Sequence, residues 1–316
     1  NGLWIILGVT GFVAALVLLV SYICFRMAFY VPKKRHFNDN ADAFFPNGGV
    51  YDPYKENMDK WLKETRALPH EEFSITSFDG LKLYGKFYEY EKGAPMEIMF
   101  HGYRGCAERD LAGGVQRCFS LGRSALVVDQ RGSGTSDGHV ITFGVREYRD
   151  CLSWVEYINQ IFDGQRRIIL TGISMGASTV MNAASQELPE NVIGVIADCG
   201  FTSPKVIIKK VIKGMGLPQL LYPFVRLAGI LYGGFDIESI TSIESVKNAK
   251  IPIFFAHGEN DDFVPCSMSQ ENFDACTAPK MLLKVPGAGH GLAYVVDPDG
   301  YVEALKQMQR IYDQCV

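Results

Sequence analysis

The 316-residue sequence lacks most short signatures that would assign it to a metal, redox or nucleic-acid class. Its eight cysteines, Cys24, Cys106, Cys118, Cys151, Cys199, Cys266, Cys276 and Cys315, form no C-x-x-C pair. That excludes the usual zinc spacing and a thioredoxin-like redox motif. Scattered cysteines in a chain this long are expected to be buried, reduced small hydrophobes. No N-x-[ST] sequon occurs either, and both points lean towards a reducing compartment. Neither sign of charge dominates, with 31 Lys and Arg against 35 Asp and Glu, so no basic nucleic-acid surface is expected. No Gly-rich loop ends in Gly-Lys-[Ser/Thr], which argues against a phosphate loop. No motif calls for a cofactor or a metal, and no internal repeat or low-complexity segment is present.

What the chain does have first is a long run without charge, Leu3 to Phe25. About 23 residues at 1.5 Å each give roughly 34 Å, enough to cross a hydrocarbon core of about 30 Å. Trp4 and Tyr22 sit near its ends, as interface anchors do. The expectation is a retained single-pass anchor over residues 1–28. The alternative is a cleaved signal peptide, but the run is longer than an ordinary signal core and no A-x-A site follows. Arg26, Lys33, Lys34 and Arg35 follow the run, which points the C-terminal domain to the cytoplasmic side. The alternatives are an extracytoplasmic domain, since basic residues before Asn1 would reverse the rule, and a domain secreted after signal cleavage.

A linker and one flanking helix, Tyr54 to Arg66, are expected over residues 29–70. From residue 71 to 316 the pattern alternates. A hairpin of Phe73 to Phe78 and Leu81 to Tyr90 turns at Asp79-Gly80. Short apolar runs then end at Phe100, Val128, Leu170, Ala197, Phe255 and Val285. Helical stretches separate them, notably 145–162, 177–186, 269–276 and 301–312. Strand–helix units after a hairpin predict an α/β fold, a mostly parallel eight-stranded sheet with helices on both faces.

In such a sheet ligands bind beyond the C-terminal strand ends, and four loops there carry chemistry. Gly172-Ile173-Ser174-Met175-Gly176 is a G-x-S-x-G between a strand and a small-residue helix start, which pushes a serine hydroxyl out at the sheet edge. His101-Gly102-Tyr103 follows another strand. The Tyr103 N–H is placed to join the Met175 N–H as an oxyanion donor, while His101 reads as a loop brace. Asp129 and Arg131 read as residues that fix the next loop. A serine needs a base, and the base needs a carboxylate to orient it. Gly289-His290-Gly291 offers the imidazole. His257-Gly258-Glu259-Asn260-Asp261-Asp262 offers the acid, with Asp261, Asp262 and Glu259 as alternatives.

These residues carry a resemblance. From about Phe73 onward the chain resembles α/β-hydrolase-fold serine hydrolases, nearest to small membrane-anchored bacterial hydrolases related to the prolyl-oligopeptidase-type catalytic domain. The matching segments are His101-Gly102-Tyr103, Asp129-Gln130-Arg131-Gly132-Ser133-Gly134, the Ser174 turn, Gly258-Glu259-Asn260-Asp261 with Val264-Pro265, and Gly289-His290-Gly291. The resemblance implies a Ser174–His290–Asp261 triad and favours Asp261 over Asp262. It implies the machinery and not the substrate. An insertion at about 203–248 is expected to be a helical cap whose apolar face lines an acyl pocket. Its Lys205, Lys209 and Lys213 form a basic line, either solvated or facing anionic headgroups. The expected activity is cleavage of esters or thioesters of apolar, lipid-like acyl substrates. The alternatives are a prolyl-oligopeptidase-like peptidase and a non-catalytic binding module.

Overall fold

The computed structural model describes residues 2–32 and 49–314. Lys33, Lys34, Arg35 and Cys315, and most of the expected linker, lie outside the described residues.

Eight strands form one sheet: β1 (Glu71–Thr76), β2 (Lys82–Tyr88), β3 (Met96–Phe100), β4 (Ser124–Val128), β5 (Ile168–Ile173), β6 (Val192–Asp198), β7 (Ile253–Gly258) and β8 (Lys280–Val285). Their spatial order is β1-β2-β4-β3-β5-β6-β7-β8. The hairpin β1–β2 is antiparallel and β2 also meets β4 antiparallel, while every pair from β4 to β8 is parallel. Strands β3, β4, β6 and β7 are buried along their whole length. That is the reason their sequences read as largely apolar runs instead of alternating ones, with Glu97 of β3 the charged exception inside a strand.

Helices cover both faces. Ile98, Phe100, Ile168 and Leu170 point into one core with Trp154, Val155 and Ile158 of α4 (Glu147–Ile161) and with α5 (Met175–Ala183). Their neighbours in sequence point the other way. Met99 and Val127 meet α3 (Ala107–Ser120), and Ile169 and Phe254 meet Tyr301, Leu305, Met308 and Tyr312 of the last helix (Pro298–Gln314). The period-two alternation of a strand thus builds two cores from one sheet. Helix α2 (Lys55–Ala67) lies on α3, where Thr65 donates to the Ala112 carbonyl.

Between β6 and β7 the chain forms α6 (Pro204–Gly214), α7 (Tyr222–Ala228), a π turn at Gly229–Gly233 and α8 (Ser242–Lys247). Ser203 caps α6 by accepting from the Val206 N–H, and Pro204 occupies its first turn. Ile207, Ile208 and Ile212 form its buried stripe. Lys205 pairs with Glu238 at 3.3 Å, so one lysine of the basic line is used inside the cap.

The first helix, α1 (Gly2–Ala28), is exposed over its first turns and docked at its end. Phe25 and Phe29 are buried in a third core with Phe143, Phe201, Val225 and Phe235. Beyond the helix, the Val31 N–H donates to His139 O and the Ile141 N–H to Phe29 O. A short antiparallel bridge, Tyr30 with Val140, completes this attachment.

Several elements begin or end a few residues from the sequence expectation. The helix read at 269–276 starts at Cys266, because Pro265 already has the dihedrals of a helix entry. The second hairpin strand stops at Tyr88, two residues early.

Candidate active site

Ser174 occupies the turn from β5 into α5 with φ 57° and ψ −115°, a conformation an L-residue adopts only when its surroundings hold it there. The flanking glycines are required by contact. A Cβ on Gly172 would sit 2.0 Å from the Gly176 carbonyl oxygen, and one on Gly176 would sit 2.0 Å from the Phe100 carbonyl oxygen. The Ser174 N–H donates to Asp198 O at 2.8 Å, tying the turn to the neighbouring strand end.

Three side chains from three strand ends meet here. The Ser174 hydroxyl is 2.9 Å from His290 Nε2, and His290 Nδ1 is 2.7 Å from Asp261 Oδ2. A ring nitrogen facing a carboxylate carries the proton, so Nδ1 donates and Nε2 is left to accept from the serine. The Asp261 Oδ1 accepts from the N–H groups of Phe263 and Val264. Burial opposes ionisation of Asp261. Hydrogen bonds from His257 and His290 and the Val264 N–H outweigh it and hold the carboxyl well below the usual range. The rivals are not in this cluster. Asp262 and Glu259 are exposed, and the Asp262 carbonyl receives the Lys210 ammonium.

Sequence reasoning missed His257. Its ring is fully buried, with Nε2 at 2.8 Å from Val264 O and 3.1 Å from Asp261 Oδ2, and Nδ1 at 2.6 Å from Ser269 Oγ. Two acceptors at Nε2 place the proton there. The ring thereby clamps the loop that carries Asp261. The available signal was a histidine four residues before the acid in the same strand-end turn.

The His101 loop lies against Ser174: a Cβ on Gly102 would be 3.5 Å from the Ser174 Cβ. His101 is fully buried. Its Nε2 accepts from the Gln130 N–H at 3.0 Å and its Nδ1 donates to Gly102 O at 2.8 Å. Gln130 also donates to His101 O and accepts from Thr179. With both ring nitrogens engaged, His101 braces the loop. Asp129 accepts from the Ala107 and Thr135 N–H groups, and Arg131 is bidentate to both Asp150 and Asp79. The Tyr103 ring stacks on Phe143 at 4.9 Å, and its hydroxyl donates to the Ala28 carbonyl.

Cys199, Asp261 and His290 bring possible metal-ligand atoms within 4.8 Å of one another. The donor set does not suit an ion. Asp261 and His290 are committed to each other, and burial pushes the Cys199 thiol far up, so it stays protonated.

Two cavities meet at Ser174. One, of about 410 Å³, is lined by carbon from the cap, from Tyr103, Phe143 and Phe263, and from the end of α1. The other, of about 230 Å³, lies on the far side, by His290, Tyr51, Arg109 and Asp110.

A serine turn after β5, an acid turn after β7 and a histidine loop after β8, on this strand order, define the α/β-hydrolase fold. A sequence model of the alpha/beta hydrolase fold matches residues 98–238. Among curated relatives, the uncharacterized protein YqkD of Bacillus subtilis is 24% identical over 191 residues. That match covers 59% of this chain and 62% of YqkD, so the chain spans less than two thirds of that relative. Among solved structures, the Pyrococcus furiosus esterase Pf2001 superposes with a TM-score of 0.63 at 22% identity, over 78% of this chain and 92% of its own. Est1E from Butyrivibrio proteoclasticus, solved with ferulic acid bound, gives 0.59 at 21% identity, over 77% and 99%. At these identities the likeness is one of fold.

Proposed function

We propose that this protein is a membrane-anchored serine hydrolase that cleaves ester or thioester bonds of apolar acyl substrates through an acyl-enzyme. The observation that carries the reading is the continuous Ser174–His290–Asp261 hydrogen-bond chain at the base of a cavity lined by carbon. In this mechanism His290 Nε2 takes the Ser174 proton as Oγ attacks the acyl carbon. The ionised Asp261 then holds the imidazolium. The N–H groups of Tyr103 and Met175 receive the developing oxyanion, helped by the start of α5. His290 returns the proton to the leaving alcohol or thiol. Water, deprotonated by the same ring, then frees the acid and restores Ser174.

Anchoring is supported by two features of α1. It is an apolar helix long enough to span a bilayer. Its last turns are also built into the domain, since removal as a leader would take Phe25, and the strand-like attachment at Phe29 to Val31 follows directly. The run of basic residues from Arg26 onward supports a cytoplasmic domain. No charged side chain lines the larger cavity, so it offers nothing to the amino terminus of a peptide.

The test is hydrolysis of p-nitrophenyl esters by the full chain, with fluorophosphonate labelling. Ser174→Ala is expected to lose roughly 10⁴-fold or more in kcat and all labelling. An unchanged rate would sink the assignment, and faster cleavage of aminoacyl amides than of matched esters would favour a peptidase.

A further inference from the structure

The larger cavity has an unusual wall. Val20, Ile23, Cys24, Met27 and Ala28 all line it, and all belong to α1. Their spacing of three and four residues is one stripe of a helix, running about 12 Å along its axis. The opposite wall is cap: Ile207, Val211, Met215, Leu217, Leu221 and Val225. The space between the two leads to Ser174.

The level of this wall relative to a bilayer follows from the charges on α1. Arg26 is the first charged residue of the chain, and it donates to the Tyr22 hydroxyl and lies over the Tyr30 ring at 4.1 Å. A Tyr–Arg–Tyr cluster at the end of an apolar span marks the headgroup boundary. The stripe starts nearly two turns on the hydrocarbon side of Arg26 and ends just past it. Cap residues are also bare: Met215 is 53% exposed, Leu220 80% and Leu231 48%. Tyr232, from the π turn beside them, stacks edge-on against Tyr22 and donates to Leu18 O. An exposed apolar rim beside a membrane helix is a surface that rests in lipid.

Resting on the membrane-anchored hydrolase reading, we infer that the anchor helix is itself half of the acyl-binding site. The substrate is a long-chain acyl amphiphile resident in the bilayer. Its chain enters sideways between α1 and the cap, and its ester carbonyl reaches Ser174. The polar leaving group faces the second cavity, where Arg109 and Asp110 pair at 2.6 Å beside Tyr51 and His290. A tether alone would have no reason to present a stripe to the cavity.

The experiment uses the full chain in lipid nanodiscs, assayed on esters from acetyl to palmitoyl. Cys24→Trp fills the stripe from the α1 side. Leu19→Trp, on the lipid-facing side of the same helix, is the control. For Cys24→Trp, the ratio of kcat/KM on palmitoyl over acetyl esters is expected to fall at least about tenfold, because several methylenes lose their place in the pocket. For Leu19→Trp the ratio should match the wild type. A Cys24→Trp ratio equal to that of the wild type would overturn the proposal. A wild type inactive on every ester would instead overturn the hydrolase reading beneath it. A second measurement needs no substitution. A long-chain alkyl fluorophosphonate carrying a terminal diazirine is attached at Ser174 and irradiated. Crosslinks within residues 20–28 are expected, and crosslinks confined to the cap would refute the shared wall.

Discussion

The phenol of Tyr103 donates a 2.8 Å hydrogen bond to the carbonyl of Ala28, the last residue of α1. The loop proposed to supply an oxyanion N–H is therefore fastened to the end of the apolar helix. Arg104, the next residue, donates to Met27 O and Tyr30 O and holds a φ of 54°. Orphan carbonyls at a helix end need partners, and here the candidate site provides them.

Tyr103→Phe keeps the ring stacked on Phe143 and removes only this bond. It is expected to lower stability by about 1 kcal/mol. Ester kcat should fall by up to about fivefold, because the loop loses its fixed point. Thermal unfolding in detergent and ester hydrolysis measure the two effects. A variant identical to the wild type in both would mean the bond does not position the loop.

Asp261→Asn removes the charge opposite His290 and is expected to reduce kcat by about 10³- to 10⁴-fold. Asp262→Asn should stay within about twofold, since its exposed side chain takes no part in the cluster. Should Asp262→Asn prove the more damaging, the acid has been assigned to the wrong carboxylate.

Glu97 lies fully buried in β3, between Arg117 and Arg123, and accepts from Thr171. Burial alone would raise its pKa, but the two guanidiniums outweigh burial and hold it at about 2. The unfolded value is about 4.3. A depressed acid binds fewer protons folded than unfolded. Its stabilisation is therefore complete above about pH 4.3 and lost as pH falls towards about 2. Glu97→Gln should flatten the pH dependence of urea unfolding in that window relative to the wild type. Above it, two buried arginines without a counter-charge should cost about 3–5 kcal/mol. Parallel wild-type and variant curves would refute the assignment.

Gly176→Ala puts a methyl 2.0 Å from the Phe100 carbonyl oxygen. Overpacking of this kind typically costs about 1–3 kcal/mol, and more where only backbone can yield. Gly214→Ala, at the end of α6 with nothing within 4 Å of its Cβ, should be neutral or gain up to about 1 kcal/mol. Comparing their unfolding midpoints separates a required glycine from a tolerated one; equal midpoints would remove the steric reading of the serine turn.

How far the chain could be read without its fold follows from the range of each signal. The sequence by itself determined the α/β-hydrolase fold class and which residue types stand in the strand-end loops. Strand length, the hairpin at Asp79-Gly80 and the glycines around Ser174 are local effects, set by steric contacts within a few residues. The apolar run of α1 is legible for the same reason. Only the tertiary structure decided that β4 lies between β2 and β3, since strand order depends on contacts far apart in sequence. It set Asp261 against His290, 29 residues away, and left Asp262 and Glu259 exposed. It also exposed His257 beneath that acid. The cavity at the serine turn takes one wall from α1, whose stripe from Val20 to Ala28 meets Ser174 only after some 150 residues of chain have folded between them. Composition marks α1 only as apolar all round; the cavity on one side of it is a property of packing.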